Sequence, residues 1–203
     1  MKKYNNHYLI MRHGESEANV AGLIVSDPDI GCANFGLTEE GQRQVVASIN
    51  NYQQQYSSAT KIVSHPISKV VCSDFLRTKE TAELSAKILA LPAPQVEVGL
   101  RERFFGDWEG KSDIHYPTIW ALDNDAATQV SQRVESVDDV RQRGLSVIAK
   151  LDAQFSREVI LLVSHGDMLQ ILLTAFVGIP AQQHRTLPHH AQAQIKSLII
   201  SSL

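Results

Sequence analysis

Three apolar runs in this chain stop abruptly on chemistry-bearing residues. Tyr8-Leu9-Ile10-Met11 ends in Arg12-His13-Gly14-Glu15. Ile67-Ser68-Lys69-Val70-Val71-Cys72 ends in Ser73-Asp74 and leads at once into a helical stretch carrying Arg77. Glu158-Val159-Ile160-Leu161-Leu162-Val163 ends in Ser164-His165-Gly166-Asp167. Short apolar runs bounded by turn residues read as buried strands. In an open α/β sheet, the carboxyl ends of parallel strands are where ligands bind. Loops at those ends converge, so the two imidazoles and two guanidiniums are expected to surround one small anion.

The rest of the chain fits that sheet. Thr38 is placed to cap a helix with the apolar stripe Val45, Ile49, Tyr52 and Tyr56. A second helix runs from about Leu76 to Leu89, where Pro92 and Pro94 stop it. Gln95 to Val98 reads as a short strand. Val137, Val140, Gly144, Val147 and Leu151 mark a long amphipathic helix, Met168 to Val177 an apolar one, and Ala193 to Ile200 a last strand. Residues 19–36 read as a loop. Residues 104–134, with Pro117 and Asp123-Asn124-Asp125, are the least periodic part. The alternation predicts an α/β fold, a three-layer α/β/α sandwich with a mostly parallel central sheet. One domain over 1–203 is expected, with 104–134 as a short cap-like insertion.

Composition narrows the function. At 203 residues the chain can bury a full core. A formal charge of −3 argues against nucleic acid as the main partner without forbidding a local basic pocket. Met1-Lys2-Lys3 leads into too short an apolar segment for a signal peptide, and no stretch is long enough to span a bilayer. Cys32 in a loop and Cys72 in a strand give neither a disulfide framework nor a redox motif, so a reducing cytoplasm is the expected location.

Arg12-His13-Gly14-Glu15-Ser16 with Asn19 resembles the first motif of the histidine phosphatase superfamily, also called phosphoglycerate mutase-like. Leu37-Thr38 with Gly41 is similar to its next turn and helix, and Ser73-Asp74-Phe75-Leu76-Arg77-Thr78 with Thr81-Ala82 to its second block. Leu100-Arg101-Glu102-Arg103, with Gly106 and Trp108-Glu109-Gly110, resembles the third, and Ser164-His165-Gly166 the fourth. The blocks occur in family order across nearly the whole chain.

That resemblance implies a phosphomonoester hydrolase acting on a small phosphorylated metabolite, with no cofactor and no metal. His13 would be the nucleophile that becomes phosphohistidine. Arg12, Arg77 and His165 would hold the phosphoryl oxygens, with Asn19 as a further donor. Gly14 and Gly166 would let backbone come close to the ligand. Glu102 would protonate the leaving oxygen and later accept a proton from water, with Glu15 and Glu109 as rivals by residue type. Glu109 is expected to fix its loop, and Asp167 to cap the helix behind His165.

Among the other histidines, His7, His65 and His115 lie outside the strands, and His184, His189 and His190 cluster near the C-terminus without a carboxylate to complete a metal site. The resemblance puts residues 189–191 near the pocket, so His190 is a candidate substrate contact.

Two alternatives stay open: phosphoglycerate mutase-type transfer, and a noncatalytic phosphate-ligand binding module. The short insertion and Trp108-Glu109-Gly110 favour the phosphatase branch. Two departures bear on substrate choice: Arg133-Val134 stands where many phosphatases have Gly-Gly, and the loop 22–36 is extended. The sequence leaves monomer and homodimer equally open.

Overall fold

The computed structural model of the chain describes residues 4–57, 66–123 and 132–198. Met1-Lys2-Lys3, His65, Asn124-Asp125 and Ile200 lie outside them, as does the side chain of Tyr56. The elements, in chain order, are β1 (His7–Arg12), α1 (Glu17–Ala21), α2 (Pro28–Gly31), α3 (Glu39–Ser57), β2 (Lys69–Cys72), α4 (Leu76–Ile88) and β3 (Gln95–Val96). There follow α5 (Tyr116–Asp123), α6 (Val137–Gln154), β4 (Val159–Ser164), α7 (Gly166–Val177) and β5 (Ile195–Ser197).

The strands form one sheet in the order β3-β2-β4-β1-β5. β1 with β4, β2 with β4 and β2 with β3 are parallel, and β5 closes the edge antiparallel to β1. Strand alternation sorts the core into two layers. Tyr8, Ile10, Ile160 and Leu162 face α6 and α7 through Val140, Ile148, Leu151 and Leu169. Met11, Leu161, Val163 and Val70 face α3 and α4 through Val45, Ile49, Ala82 and Ala86. The result is the three-layer α/β/α sandwich read from the sequence.

Helix starts follow their caps. The Thr38 hydroxyl accepts the Gly41 N–H at 3.0 Å and opens α3. Ser136 accepts the Asp139 N–H at 3.1 Å and opens α6. Asp167 is a correction. α7 begins at Gly166 with His165 as its N-cap residue, so Asp167 lies inside the first turn rather than before it. Its carboxylate instead accepts the Trp120 indole N–H at 2.8 Å.

Two regions differ from the expected irregular loops. Within 19–36, Ser16 and Asn19 form a capping box at the start of α1, and Asp27 caps α2, whose first residue is Pro28. Such short helices lack the length to show periodicity. Within 104–134, helical turns at Gly106–Trp108 and Asp113–His115 lead into α5.

The Arg133-Val134 departure divides into two roles. Arg133 takes a left-handed φ of 59°, a conformation glycine adopts without strain. Val134 is buried with Ile24, Phe105 and Ile119 in a small core of its own under the insertion. Gly14 is required by packing of a different kind than expected. A Cβ there would come within 2.5 Å of the Gly41 carbonyl oxygen, so the glycine seats the His13 loop against the start of α3.

Candidate active site

Sheet register brings the two histidines together. Arg12 pairs with Ser164 at the last rung of β1 and β4, so the next residues, His13 and His165, leave the sheet side by side. The His13 N–H donates to the Ser164 carbonyl at 3.0 Å, and the imidazole centroids are 5.4 Å apart. On the other flank β2 pairs Cys72 with Val163. Ser73 therefore lies next to His165, and the first turn of α4 delivers Arg77 to the same spot.

His13 is held in one tautomer. Its Nδ1 lies 2.7 Å from the Gly14 carbonyl, which can only accept, so the proton sits on Nδ1. Nε2 carries the lone pair and receives the Arg77 Nε–H at 3.2 Å. Burial, then Arg77 and Arg12, push the His13 pKa well below the ordinary histidine value. A neutral imidazole with its lone pair on Nε2 is the form a nucleophile requires.

The basic groups around it have polar atoms to spare. Arg77 is buried, and its Nη2 donates to the Val25 carbonyl at 2.9 Å. Arg12 Nη1 meets His189 Nε2 at 3.3 Å and the His190 carbonyl at 3.4 Å. Arg77 Nη1, Arg12 Nε and His165 Nδ1 are buried and lack a hydrogen-bond partner. Buried polar atoms are seldom left so, because each forfeits its hydration. Their clustering about His13 marks a place built for an anion. Burial lowers the Arg77 pKa to about 10, still well above neutrality, so the guanidinium stays charged.

Glu102 sits against the start of α7. Its Oε1 accepts the Arg103 N–H at 2.9 Å and the Met168 N–H at 3.1 Å. Burial, then the nearby Asp167, raises its pKa above the ordinary carboxyl value despite those two bonds and Arg77. An acid held back from ionisation suits a proton donor. The rivals bind elsewhere, Glu109 through Oε2 alone, its Oε1 being buried without a partner. Glu15 accepts the Thr38 hydroxyl at 2.7 Å, and Glu109 takes the Ser26 N–H at 2.7 Å and hydroxyl at 2.6 Å.

The remaining candidates sit at the edges. Asn19 turns its Oδ1 to the Ser16 N–H at 3.1 Å and to Gln192 Nε2 at 3.0 Å. Gly166 packs under the Arg12 guanidinium, whose Cζ would be 3.6 Å from a Cβ. His190 Nε2 is bound to the Gln194 carbonyl at 2.7 Å, so its ring braces a turn while its backbone carbonyl holds Arg12. Its neighbour His189 is the one whose ring reaches Arg12.

Several contributors have no role in the sequence reading, Thr81 entering only as part of the second block. Thr81 accepts the Gly14 N–H at 3.2 Å and donates to the Arg77 carbonyl at 2.8 Å, coupling the nucleophile loop to α4. Arg143 binds the carbonyls of Gly99, Arg101 and Glu102 and clasps Glu135. Tyr116 stacks on Trp120 with 5.2 Å between centroids. Burial, then Glu102 and Asp167, raise the Tyr116 phenol pKa. Arg185 lies over the Trp120 ring at 3.6 Å. Among the described residues, no group of three or more His, Cys, Asp or Glu side chains is arranged to hold a metal ion, and no helix is long and apolar enough to cross a membrane.

Comparison with known proteins identifies the family and the fold. The model of the histidine phosphatase superfamily (branch 1) matches residues 8–202. Adenosylcobalamin/alpha-ribazole phosphatases of Salmonella typhimurium and Escherichia coli are 30% and 31% identical over 179 and 180 residues, spanning 85% of this chain and 80% of each relative. The structure of a mycobacterial glucosyl-3-phosphoglycerate phosphatase with VO3 is similar at a TM-score of 0.75 and 25% identity, covering 94% of this chain and 91% of that one. Bacillus stearothermophilus YhfR, 23% identical, shares the fold at a TM-score of 0.73 over 98% of both chains.

Proposed function

This chain belongs to the histidine phosphatase superfamily, branch 1, and from that premise we propose that it hydrolyses the phosphomonoester of a small metabolite through a phosphohistidine at His13. The observation that carries the reading is the set of three unpartnered buried nitrogens, on Arg12, Arg77 and His165, gathered about an imidazole whose Nε2 lone pair is available. A phosphoryl group set among them takes their hydrogen bonds. The Arg77 Nε–H is exchanged from His13 Nε2 to a phosphoryl oxygen, which frees the lone pair for attack.

His13 Nε2 then forms the N–P bond as the P–O bond to the leaving group breaks. The Glu102 carboxyl gives its proton to the departing oxygen, because an alkoxide is a poor leaving group. The Nδ1–H bond to the Gly14 carbonyl supports the positive charge that the ring acquires. In the second half, the Glu102 carboxylate takes a proton from water as that water attacks phosphorus. Phosphate leaves and His13 returns to its neutral form. The donors stay aimed at the equatorial oxygens throughout, which is where transition-state charge develops.

The described parts of the insertion, residues 104–123 and 132–134, are our assignment for the cap over the leaving group. The named relatives act on alpha-ribazole and glucosyl-3-phosphoglycerate phosphoesters, and a small phosphorylated metabolite is the class we extend to this chain. Phosphate release from sugar phosphates, phosphoglycerates, phosphoserine and nucleotides, measured with and without a strong chelator, tests the proposal. Turnover is expected to survive chelation. Activity that vanishes on chelation and returns with a divalent ion would overturn it. Phosphoryl transfer from a diphosphorylated primer to a monophosphate acceptor, outpacing hydrolysis, would point to a mutase instead.

A further inference from the structure

We propose that Ser73 is a positioning residue: its hydroxyl donates to His165 Nε2 and so fixes His165 as the Nδ1–H tautomer, whose single N–H is offered to the substrate's phosphoryl oxygen. The donor half of this inference rests on the phosphatase reading above. The tautomer half rests on the hydrogen bonds around two buried side chains and on the neutrality of the buried ring.

That accounting starts at the end of β2. Ser73 is fully buried, so its hydroxyl hydrogen cannot turn to water. Its Oγ has two recorded contacts, the Phe75 N–H at 3.3 Å and His165 Nε2 at 3.0 Å. The Phe75 amide can only donate, which occupies a lone pair of the hydroxyl oxygen and leaves its hydrogen to be placed. His165 Nε2 is the acceptor within reach. If Nε2 instead carried the proton, the serine hydrogen would be stranded in the interior, and buried donors are rarely left without a partner.

His165 is itself fully buried. Burial, then Arg77 and His13, hold its pKa well below the ordinary histidine value, so the ring is neutral and carries one proton. With Nε2 accepting from Ser73, that proton lies on Nδ1, the ring atom that is buried and has no partner. An Nδ1–H in that position is an anion donor. An unprotonated Nδ1 would present a lone pair, and would repel a phosphoryl oxygen. The two histidines thus have opposite settings. His13 has its Nδ1 proton tied to Gly14 and shows a lone pair, while His165 has its Nε2 tied to Ser73 and shows a proton. The phenyl ring of Phe75, edge-on to His165 at 5.0 Å between centroids, limits a ring flip that would put ring carbons where the two nitrogens lie.

Nitrogen-15 NMR of the histidine side chains in the full-length protein reads this directly, because protonated and unprotonated ring nitrogens resonate far apart. Wild-type His165 is expected to show a protonated Nδ1 and an unprotonated Nε2, and its Nδ1–H is expected to shift when vanadate is added. Ser73→Ala removes the donor and should move the proton wholly or partly to Nε2. Partners that orient metal-ligating histidines carry about 10–100-fold in activity, and by the same orienting role kcat should fall in that range here. Ser73→Thr keeps the hydroxyl and should restore both the wild-type tautomer and most of kcat.

A wild-type His165 protonated at Nε2 overturns the proposal whatever the activity. An Nδ1–H that ignores bound vanadate overturns its donor half. Loss of kcat in Ser73→Ala with the wild-type tautomer intact assigns the serine to packing and also overturns it. Failure to form a phosphoenzyme at His13, with His165 still protonated at Nδ1, would count against the phosphatase reading and the donor role, and not against the tautomer assignment.

Discussion

Arg77 and Arg103 are both buried, yet they spend their hydrogen bonds in opposite ways. Arg103 binds Asp123 with two parallel bonds of 2.7 and 2.6 Å and gives its Nε–H to the Glu135 carbonyl at 2.8 Å. Arg77 holds His13 and the Val25 carbonyl, and keeps Nη1 unpartnered. Arg103 ties α5 to the chain beside Glu102 and Ser136, so it belongs to the scaffold of the cap. Arg77, with Arg12 and His165, keeps donors open around an imidazole lone pair. The difference teaches that burial alone does not identify a functional cation. What does is burial with the hydrogen bonds left unmade.

The most drastic way to break the comparison is to remove the group those open donors surround. His13→Ala should abolish turnover, because no other nucleophile replaces its Nε2. Near wild-type turnover in purified variant protein would end the assignment. Glu102→Gln comes next. General acid catalysis is worth about 10²–10⁴-fold, and the burst of phosphoenzyme formation should fall by that order with an alkyl phosphate. With an aryl phosphate, whose phenolate leaves unaided, the burst should fall much less. Equal losses for both substrates would remove Glu102 from the acid role.

Arg77→Gln should lower kcat by about 10²–10³-fold, the usual cost of one oxyanion donor. It should also move the pH profile. His13 acts when neutral, and that form is lost as pH falls through its pKa. Burial holds this pKa below the ordinary 6.5, and Arg77 and Arg12 hold it lower still. Removing the Arg77 charge raises it, so the acid limb of kcat/KM should shift to higher pH. A limb that stays put, or moves to lower pH, would show that Arg77 does not act on His13.

Arg103→Gln sharpens the contrast from the other side. It leaves Asp123 as an uncompensated buried charge, a change that typically costs about 3–5 kcal/mol of stability. Urea unfolding should register that loss, while kcat per folded molecule changes far less than in Arg77→Gln. A collapse of kcat with stability retained would place Arg103 in the reacting site.

The sequence made one of these two regions far more legible than the other. His13, Arg77 and His165 follow strands whose apolar runs announce themselves, and the parallel register of β1, β2 and β4 then fixes their meeting. Thr38 could be read as a cap because its acceptor and the Gly41 donor are three residues apart. Arg103 with Asp123, Trp120 with Asp167, and Arg143 with the Gly99 and Glu102 carbonyls join partners that no local pattern links. Asp167 was misread for the same reason: a carboxylate at a helix start suggests a cap, and only the fold brings Trp120 to it. α1 and α2 are too short to repeat a period. The left-handed φ of Arg133 could not be read from an arginine, since side chains of that kind rarely adopt it.

The central claim is that the open donors serve a covalent phosphoryl intermediate on His13. Rapid alkaline quenching of wild-type enzyme during turnover, followed by peptide mapping under conditions that preserve phosphohistidine, tests it most directly. The account predicts an acid-labile phosphoryl group on His13, formed at the rate of the burst and absent from His13→Ala. Steady turnover with no phosphoenzyme at any time, or a phosphoryl group mapped to another residue, would contradict it.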